Sequence, residues 1–402
     1  MAKRRGNNEG SICKRKDGSW QGSVPVGYDP ETGKPKRKYF YAVTRREVAD
    51  KIAKALVEAK NGGFVEPTKT SFGEWLDRWL TSYKKGELKA STYESYEVLI
   101  NTHVKPALGN IPMAKLQANT LQMFYNEKLA NGRLDGTGGL STRMVRYFHA
   151  VIRQALQQAV KEGLLIRNVA DATSPPVIKN KLMQPLSEIE LLNFLEVAKD
   201  ERLFAAYLLA ATTGLRRGEL LGLCWDCVDL ERGVISVQRQ LLGLKGGLVL
   251  DDTTKTKSGR RSVTLTDDAI RELKNYRKRQ LQERLIIGEA YEDKDLVFCK
   301  EDGAPLDLRE FTKRFQRYLM NAGLPKVRLH DLRHTHATLL LARGIPAKLV
   351  QERLGHSSIT MTLDLYSHVT PEMQRLAAES MNGLLAKAVA QKKSPAKAQG
   401  EK

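Results

Sequence analysis

The strongest constraint on this chain is where it cannot sustain a regular element. Gly62-Gly63 with Pro67 interrupts it once, and Pro175-Pro176 among the lysines of residues 171–184 interrupts it again. Paired glycines favour irregular backbone, and prolines hold an extended connection that offers no N–H to a helix or ladder. One core therefore cannot run through all 402 residues. Three units are expected instead, at residues 1–65, 71–170 and 185–386, with 171–184 a linker and 387–402 a Lys- and Ala-rich tail read as disordered.

The periodicity differs from unit to unit. In the first, Ser11–Arg15, Trp20–Val26 and Lys36–Tyr41 read as short strands. Two turn sequences separate them, Lys16-Asp17-Gly18-Ser19 and Asp29-Pro30-Glu31-Thr32-Gly33. Thr44, with Glu47 three residues on, is a capping-box signature for a helix over 45–59. The second unit reads as all helix. Phe72, Trp75, Leu76, Trp79 and Leu80 recur at helical spacing, as do Tyr93, Tyr96, Ile100 and Val104 provided that their helix bends near its end. Further helices are expected over 118–129 and 141–163, joined by the Gly-rich turn 131–139. The third unit is mixed. Ser187-Glu188-Ile189-Glu190 caps a helix, and an apolar helix over 203–213 stops at Gly214. Strands alternate over 233–241, 248–250 and 262–265, with Lys255–Arg261 a polar turn between the last two. The fold class is thus multidomain and mainly α with small β-sheets: an α+β first unit, an all-α second and a mixed α/β third.

Charge points to the partner. The formal net charge is +20 with a pI near 9.7, and residues 1–65 hold 15 Lys and Arg against 7 Asp and Glu, a surplus of 15 − 7 = +8. Basic surface draws in phosphate backbones and releases their counterions, so double-stranded DNA is the expected partner. Contact candidates in the first unit are Lys14, Arg15, Trp20, Lys36, Arg37 and Lys38. In the second they are the polar faces with Lys89, Ser91, Thr92 and Tyr96, and with Arg143 and Arg146. No apolar run reaches the eighteen or so residues of a spanning helix and the first residues lack a signal peptide's apolar region, so no membrane partner and a cytosolic location are expected. Of Cys13, Cys224, Cys227 and Cys299 only Cys224-Trp-Asp-Cys227 has a recognisable spacing. A lone Cys-x-x-Cys without a second pair reads as ordinary thiols. His334 and His336 beside His330 lack a completing ligand, so neither metal nor cofactor is expected.

Chemistry concentrates in the stretch Arg328–Val369, which brings His330, Arg333, His356 and Tyr366 within about three dozen residues. His330 and Arg333, three apart, share one helix face. His356 follows Gly355 at a helix end, where polar groups are left free. A phenol near guanidinium and imidazole groups can attack a phosphodiester and store the bond as a phosphotyrosine link.

These residues resemble the tyrosine recombinases of the phage and transposon integrase type. Ala211–Leu223, Ala-Thr-Thr-Gly-Leu-Arg-Arg-Gly-Glu-Leu-Leu-Gly-Leu, is similar to that family's first arginine motif. Thr256–Arg261, Thr-Lys-Ser-Gly-Arg-Arg, is similar to its lysine-bearing β-hairpin. The resemblance implies catalytic residues Arg216, Lys257, His330, Arg333, His356 and the nucleophile Tyr366, with Glu219 in support. It implies an arm-binding first unit, a core-binding second, a catalytic third, and a homotetramer on DNA core and arm sites. It also implies an accessory bending or excision protein and a helix over 371–390 that packs on a neighbouring protomer. A type IB topoisomerase would share the nucleophile without needing the separate basic first unit. A metal-dependent nuclease would want clustered carboxylates, and a pure DNA-binding regulator would not need Tyr366.

Overall fold

The computed structural model describes residues 10–28, 35–60, 69–178, 185–252 and 260–363, together with Arg375 and Glu379. Outside these residues lie Lys257, Tyr366, the turn 29–33, the Gly62-Gly63 break, the tail 387–402 and most of the helix expected over 371–390. Of that helix, Arg375 and Glu379 are helical and form an i,i+4 ion pair of 3.4 Å. The chain divides into two compact units, Met1–Lys181 and Leu182–Lys402. It is mainly helical, with small sheets.

The first unit opens with strands β1 (Ser11–Lys14), β2 (Trp20–Tyr28) and β3 (Pro35–Ala42), an antiparallel sheet in the order β1-β2-β3. Helix α1 (Arg45–Lys60) follows, and Thr44 Oγ1 accepts the Glu47 N–H at 3.3 Å as the capping pattern requires. Its Val48 and Ile52 bury against Val24, with Trp20 and Phe40 packed alongside. Gly22 makes this approach possible: a Cβ there would stand 2.5 Å from both Val48 and Ile52 side chains.

The helical array has its own core. Helix α2 (Phe72–Trp79) starts at a complete capping box between Ser71 and Glu74, and buries Phe72, Trp75, Leu76 and Trp79. Helix α3 (Ala90–Leu99) runs into a π-helical turn at Ile100–Val104. The wider turn keeps Tyr96, Ile100 and Val104 on the buried side. A short α4 (Lys105–Leu108), α5 (Ala118–Asn131) and α6 (Thr142–Lys161) complete it. Trp75 Nε1 donates to the Ala155 carbonyl at 2.9 Å, satisfying the one polar atom that this buried indole carries. Tyr96 is 7% exposed and stacks on Trp79 at 6.0 Å, so it belongs to the core and not to a DNA-facing surface.

The second unit contains α7 (Glu188–Val197), α8 (Phe204–Thr213) and α9 (Arg217–Leu221). Strands β4 (Val228–Asp229), β5 (Val234–Val237), β6 (Gln240–Leu244), β7 (Gly247–Asp251) and β8 (Arg261–Thr264) come next. Helices α10 (Asp267–Ile287), α11 (Leu308–Asn321), α12 (Leu329–Ala342), α13 (Ala347–Leu354) and α14 (Thr360–Leu363) follow. Helix α8 is buried nearly all round, as its unbroken apolar run requires, and Phe194, Tyr207, Phe311 and Phe315 pack into one aromatic cluster with it. Two strand expectations are corrected. Residues 233–241 are not one strand: Arg239 turns out to Asp226 and Asp252, and the chain changes sheet between β5 and β6. Nor do the residues around Lys257 join two paired strands. β7 pairs with β6, whereas β8 pairs with β5 in the order β4-β5-β8, so the described strands on either side of Lys257 belong to different sheets.

Candidate active site

Four chain turns build the site. Helix α8 ends on Gly214, whose left-handed φ of 66° sends the chain sharply into Arg216 at the head of α9. Glu219, one turn on, accepts the Arg216 backbone N–H at 3.0 Å through Oε2 and its Nη1 at 2.6 Å through Oε1. The guanidinium is thereby held rigidly against its own helix. Helix α13 ends on Gly355, again left-handed at φ 68°, leaving its last carbonyls without partners inside the helix. Two arginines take them: Arg216 Nη2 donates to Gly355 O at 3.1 Å, and Arg333 Nη2 to Leu354 O at 2.6 Å. A helix C-terminus carries partial negative charge, which suits both cations. Arg333 Nη1 donates to Gly214 O at 2.8 Å, so one buried side chain ties the end of α8 to the end of α13.

His330 and Arg333 lie on α12 as the three-residue spacing required, and His330 meets His334 edge-on at 4.9 Å between ring centres. His356 follows Gly355 directly and is buried, its Nδ1 2.8 Å from Thr362 Oγ1. Arg216, Glu219, His330, Arg333 and His356 are thus gathered in one place by the ends of α8, α9, α12 and α13. Lys257 and Tyr366 are outside the described residues.

The electrostatics are lopsided. Arg333 is 2% exposed, and among the described residues its hydrogen bonds go to two carbonyls and to no carboxylate. Burial, with the charges of Arg216 and Arg261 nearby, lowers its pKa to about 9. Burial pushes the Glu219 carboxyl up, but the hydrogen bond and charge of Arg261 and the charge of Arg216 outweigh it and hold the group below its ordinary value. Burial also lowers the histidines, and neighbouring arginines add to it. His330 falls under its ordinary value, and His356, beside Arg333 and Arg216, falls to about 3. The imidazoles are accordingly neutral at pH 7.

A second tier was missed from sequence. Arg261, at the start of β8, donates to Glu219 Oε2 at 2.9 Å and Oε1 at 3.3 Å, and through Nε to the Arg353 carbonyl at 2.7 Å. Arg353 in turn donates to His336 Nε2 at 3.2 Å and to the carbonyls of Thr212 and Thr264 at 3.0 Å each. Strand alternation could have found Arg261, because it shares the inward face with Val263, and an inward charge demands a partner. Nothing in the spacing marks Arg353, His336 or Thr362.

The expected DNA-contact residues are dispersed. Lys14, Arg15 and Arg37 are exposed, and Arg15 lies over the Tyr41 ring at 5.2 Å. Lys38 lies over Phe40 at 5.3 Å, Trp20 packs against the α1 core, and of Lys36 only the backbone, in β3, is described. Tyr39 and Tyr41, 51% exposed each, share with Arg37 the sheet face opposite α1. Lys89 heads α3, with Ser91 and Thr92 half-buried in its first turn. Arg143 and Arg146 are exposed on α6, the latter donating to Pro176 O at 3.4 Å. Cys224 and Cys227 are buried free thiols, with Cys227 pushed up to about 11 by burial and by Asp226. Cys224, Asp226 and Asp295 do converge, within 4.8 Å, but Arg239 Nη1 already occupies both Asp226 oxygens at 3.0 and 2.9 Å.

Relatives share this arrangement's framework. The pattern that defines the phage integrase family matches residues 182–373, and that of the phage integrase N-terminal SAM-like domain matches residues 71–129. A XerC-like tyrosine recombinase of Caldanaerobacter subterraneus subsp. tengcongensis is 32% identical over 381 residues, covering 90% of this chain and 95% of that protein. The integrase of transposon Tn1549, in complex with transposon right end DNA, shares the fold with a TM-score of 0.64 at 23% identity, over 78% of this chain and 99% of that one. A lambda integrase tetramer bound to a Holliday junction shares it with a TM-score of 0.54 at 20% identity, over 90% and 96%. The chain belongs to the phage integrase family of tyrosine recombinases, site-specific DNA strand-transfer enzymes that act as integrases of mobile elements.

Proposed function

We propose that the scissile phosphate sits against Arg216 and Arg333, and that Tyr366 attacks it. The observation that carries this is the buried Arg333, which no described carboxylate bonds, beside an Arg216 whose acid is shared with Arg261. Arg216 and Arg261 share one glutamate while Arg333 bonds only carbonyls among the described residues, and a buried cation without a counterion is costly unless a ligand supplies the charge. A phosphodiester does so, and fixed guanidinium groups gain most when negative charge builds on its non-bridging oxygens. His356 adds a neutral N–H donor to the same oxygens. The Tyr366 oxygen forms a bond to phosphorus as the bond to the 5′ oxygen breaks. His330 takes the phenolic proton, and Lys257 gives one to the departing 5′ oxygen. The product is a 3′-phosphotyrosine, and the 5′-hydroxyl of a partner strand reverses the step. Glu219 orients Arg216 and transfers no proton.

On this reading residues 185–386 are the catalytic domain, 71–170 the core-binding domain and 1–65 an arm-binding domain. The Arg37, Tyr39 and Tyr41 face of the sheet supports the last of these. The active form is a homotetramer on core and arm DNA in the bacterial host's cytosol, aided by an accessory bending or excision protein. It integrates and excises its element. The test is a covalent-adduct assay in chelator on the DNA that flanks the gene. A denaturing gel should show a protein–DNA band with wild type and none with Tyr366→Phe. Adduct surviving in Tyr366→Phe would overturn the assignment.

A further inference from the structure

Thr362, on α14, is fully buried, and among the described residues its hydroxyl has one hydrogen-bond partner, His356 Nδ1 at 2.8 Å. No described residue bonds to His356 Nε2. A neutral imidazole carries one proton and can place it on either nitrogen. If Nδ1 held it, the Thr362 oxygen would accept, and its own hydrogen would be sealed in the core without an acceptor. If Nδ1 is the acceptor, the hydroxyl is satisfied and the proton is on Nε2, the nitrogen left for a ligand. The ring is buried beside Arg333 and Arg216, which keeps it neutral and makes the tautomer decisive.

We propose that Thr362 is a positioning residue that fixes the orientation and tautomer of His356, so that the ring presents Nε2–H to the phosphate oxygen. This rests on the reading of His356 as a phosphate donor. A hydroxyl one helical turn past a loop thereby converts a ring that could accept into one that donates, with no charge change.

Two measurements on the full chain test it. In wild type labelled with ¹⁵N-histidine, with His356 assigned by difference from His356→Gln, the ring should be neutral with its proton on Nε2. A proton on Nδ1 overturns the proposal without any variant having to fold. In single-turnover cleavage of a nicked duplex made from the flanking DNA, Thr362→Val should form adduct roughly tenfold more slowly at saturating DNA, with affinity unchanged. That is a fraction of the roughly hundredfold cost of deleting such a donor. Thr362→Ser, which keeps the hydroxyl, should recover the rate. In a His356→Gln background Thr362→Val should add nothing; a further tenfold loss there would mark Thr362 as structural and overturn the proposal. If His356→Gln itself cleaves at the wild-type rate, the phosphate-donor reading falls. If His356→Gln is slow but Thr362→Val is not, only the role of Thr362 falls.

Discussion

Gly214 and Gly344 both end helices in the left-handed region, at φ 66° and 78°, but their surroundings differ. A Cβ on Gly344 would meet nothing within 4 Å. On Gly214 it would stand 2.5 Å from Leu354 Cδ2, 3.0 Å from His336 Cδ2 and 3.6 Å from Arg333 Cγ. Both substitutions to Ala carry the strain of a left-handed L-residue, about 1 kcal/mol. Gly214→Ala adds the cost of overpacking a site where Leu354 is fully buried, a further 2 kcal/mol or so. The expected losses are therefore about 1 kcal/mol for Gly344→Ala and about 3 kcal/mol for Gly214→Ala. Hydrogen exchange of the α8 amides in the full chain reads both, as the free energy of opening that unit. Because the Gly214 carbonyl also holds Arg333, adduct formation in Gly214→Ala should drop at least tenfold where the protein is still folded. Equal losses for the two variants, or normal cleavage by Gly214→Ala, would refute the claim that this turn is a close-packed support for Arg333.

Arg261→Met should cost about 3 kcal/mol, because it strips a buried carboxylate of one cation, and it should slow cleavage by loosening Arg216. Arg261→Lys, keeping charge but not the fork, should fall between the two, and thermal unfolding with single-turnover rates would expose any other order. Stability should also fall with pH. His336 and His356 have folded pKa values of about 4 and about 3, below their ordinary value of 6.5, so protons prefer the unfolded chain in between. Their contribution is full above about pH 6.5 and drains as pH falls towards 4 and 3. Denaturant unfolding at pH 7 and pH 5 should differ by on the order of 3 kcal/mol from this source, and no difference would contradict the burial of these rings. In the first unit, Arg37→Ala with Tyr39→Ala should weaken binding to arm DNA and make its salt dependence shallower by about one unit of log–log slope. An unchanged slope would count against that face as the contact surface.

Local patterns were legible wherever the physics is local. The caps at Thr44 and Ser187, the stops at Gly214 and Gly355, and the apolar run of α8 are all decided within a few residues by backbone hydrogen bonds and left-handed turns. The ordered set Arg216, Glu219, His330, Arg333 and His356 could likewise be read from motif order, and the structure gathers it. Strand partners could not be read. Alternation says which face a residue takes but not which strand lies beside it, so the break at Arg239 and the separation of β7 from β8 came only with the sheets.

What the sequence by itself determined is the chemical inventory and its units: a basic chain broken by glycine and proline into segments of different period, with one cluster of phosphate-handling side chains. Only the tertiary structure decided how those side chains are held. Arg333 is buried against carbonyls 119 and 21 residues away, and Glu219 is shared with an arginine 42 residues on. His356 leans on a threonine hydroxyl. Such contacts depend on where two helix ends and a strand meet in space. No spacing along the chain encodes that meeting, because it is set by the packing of the apolar helices that carry them.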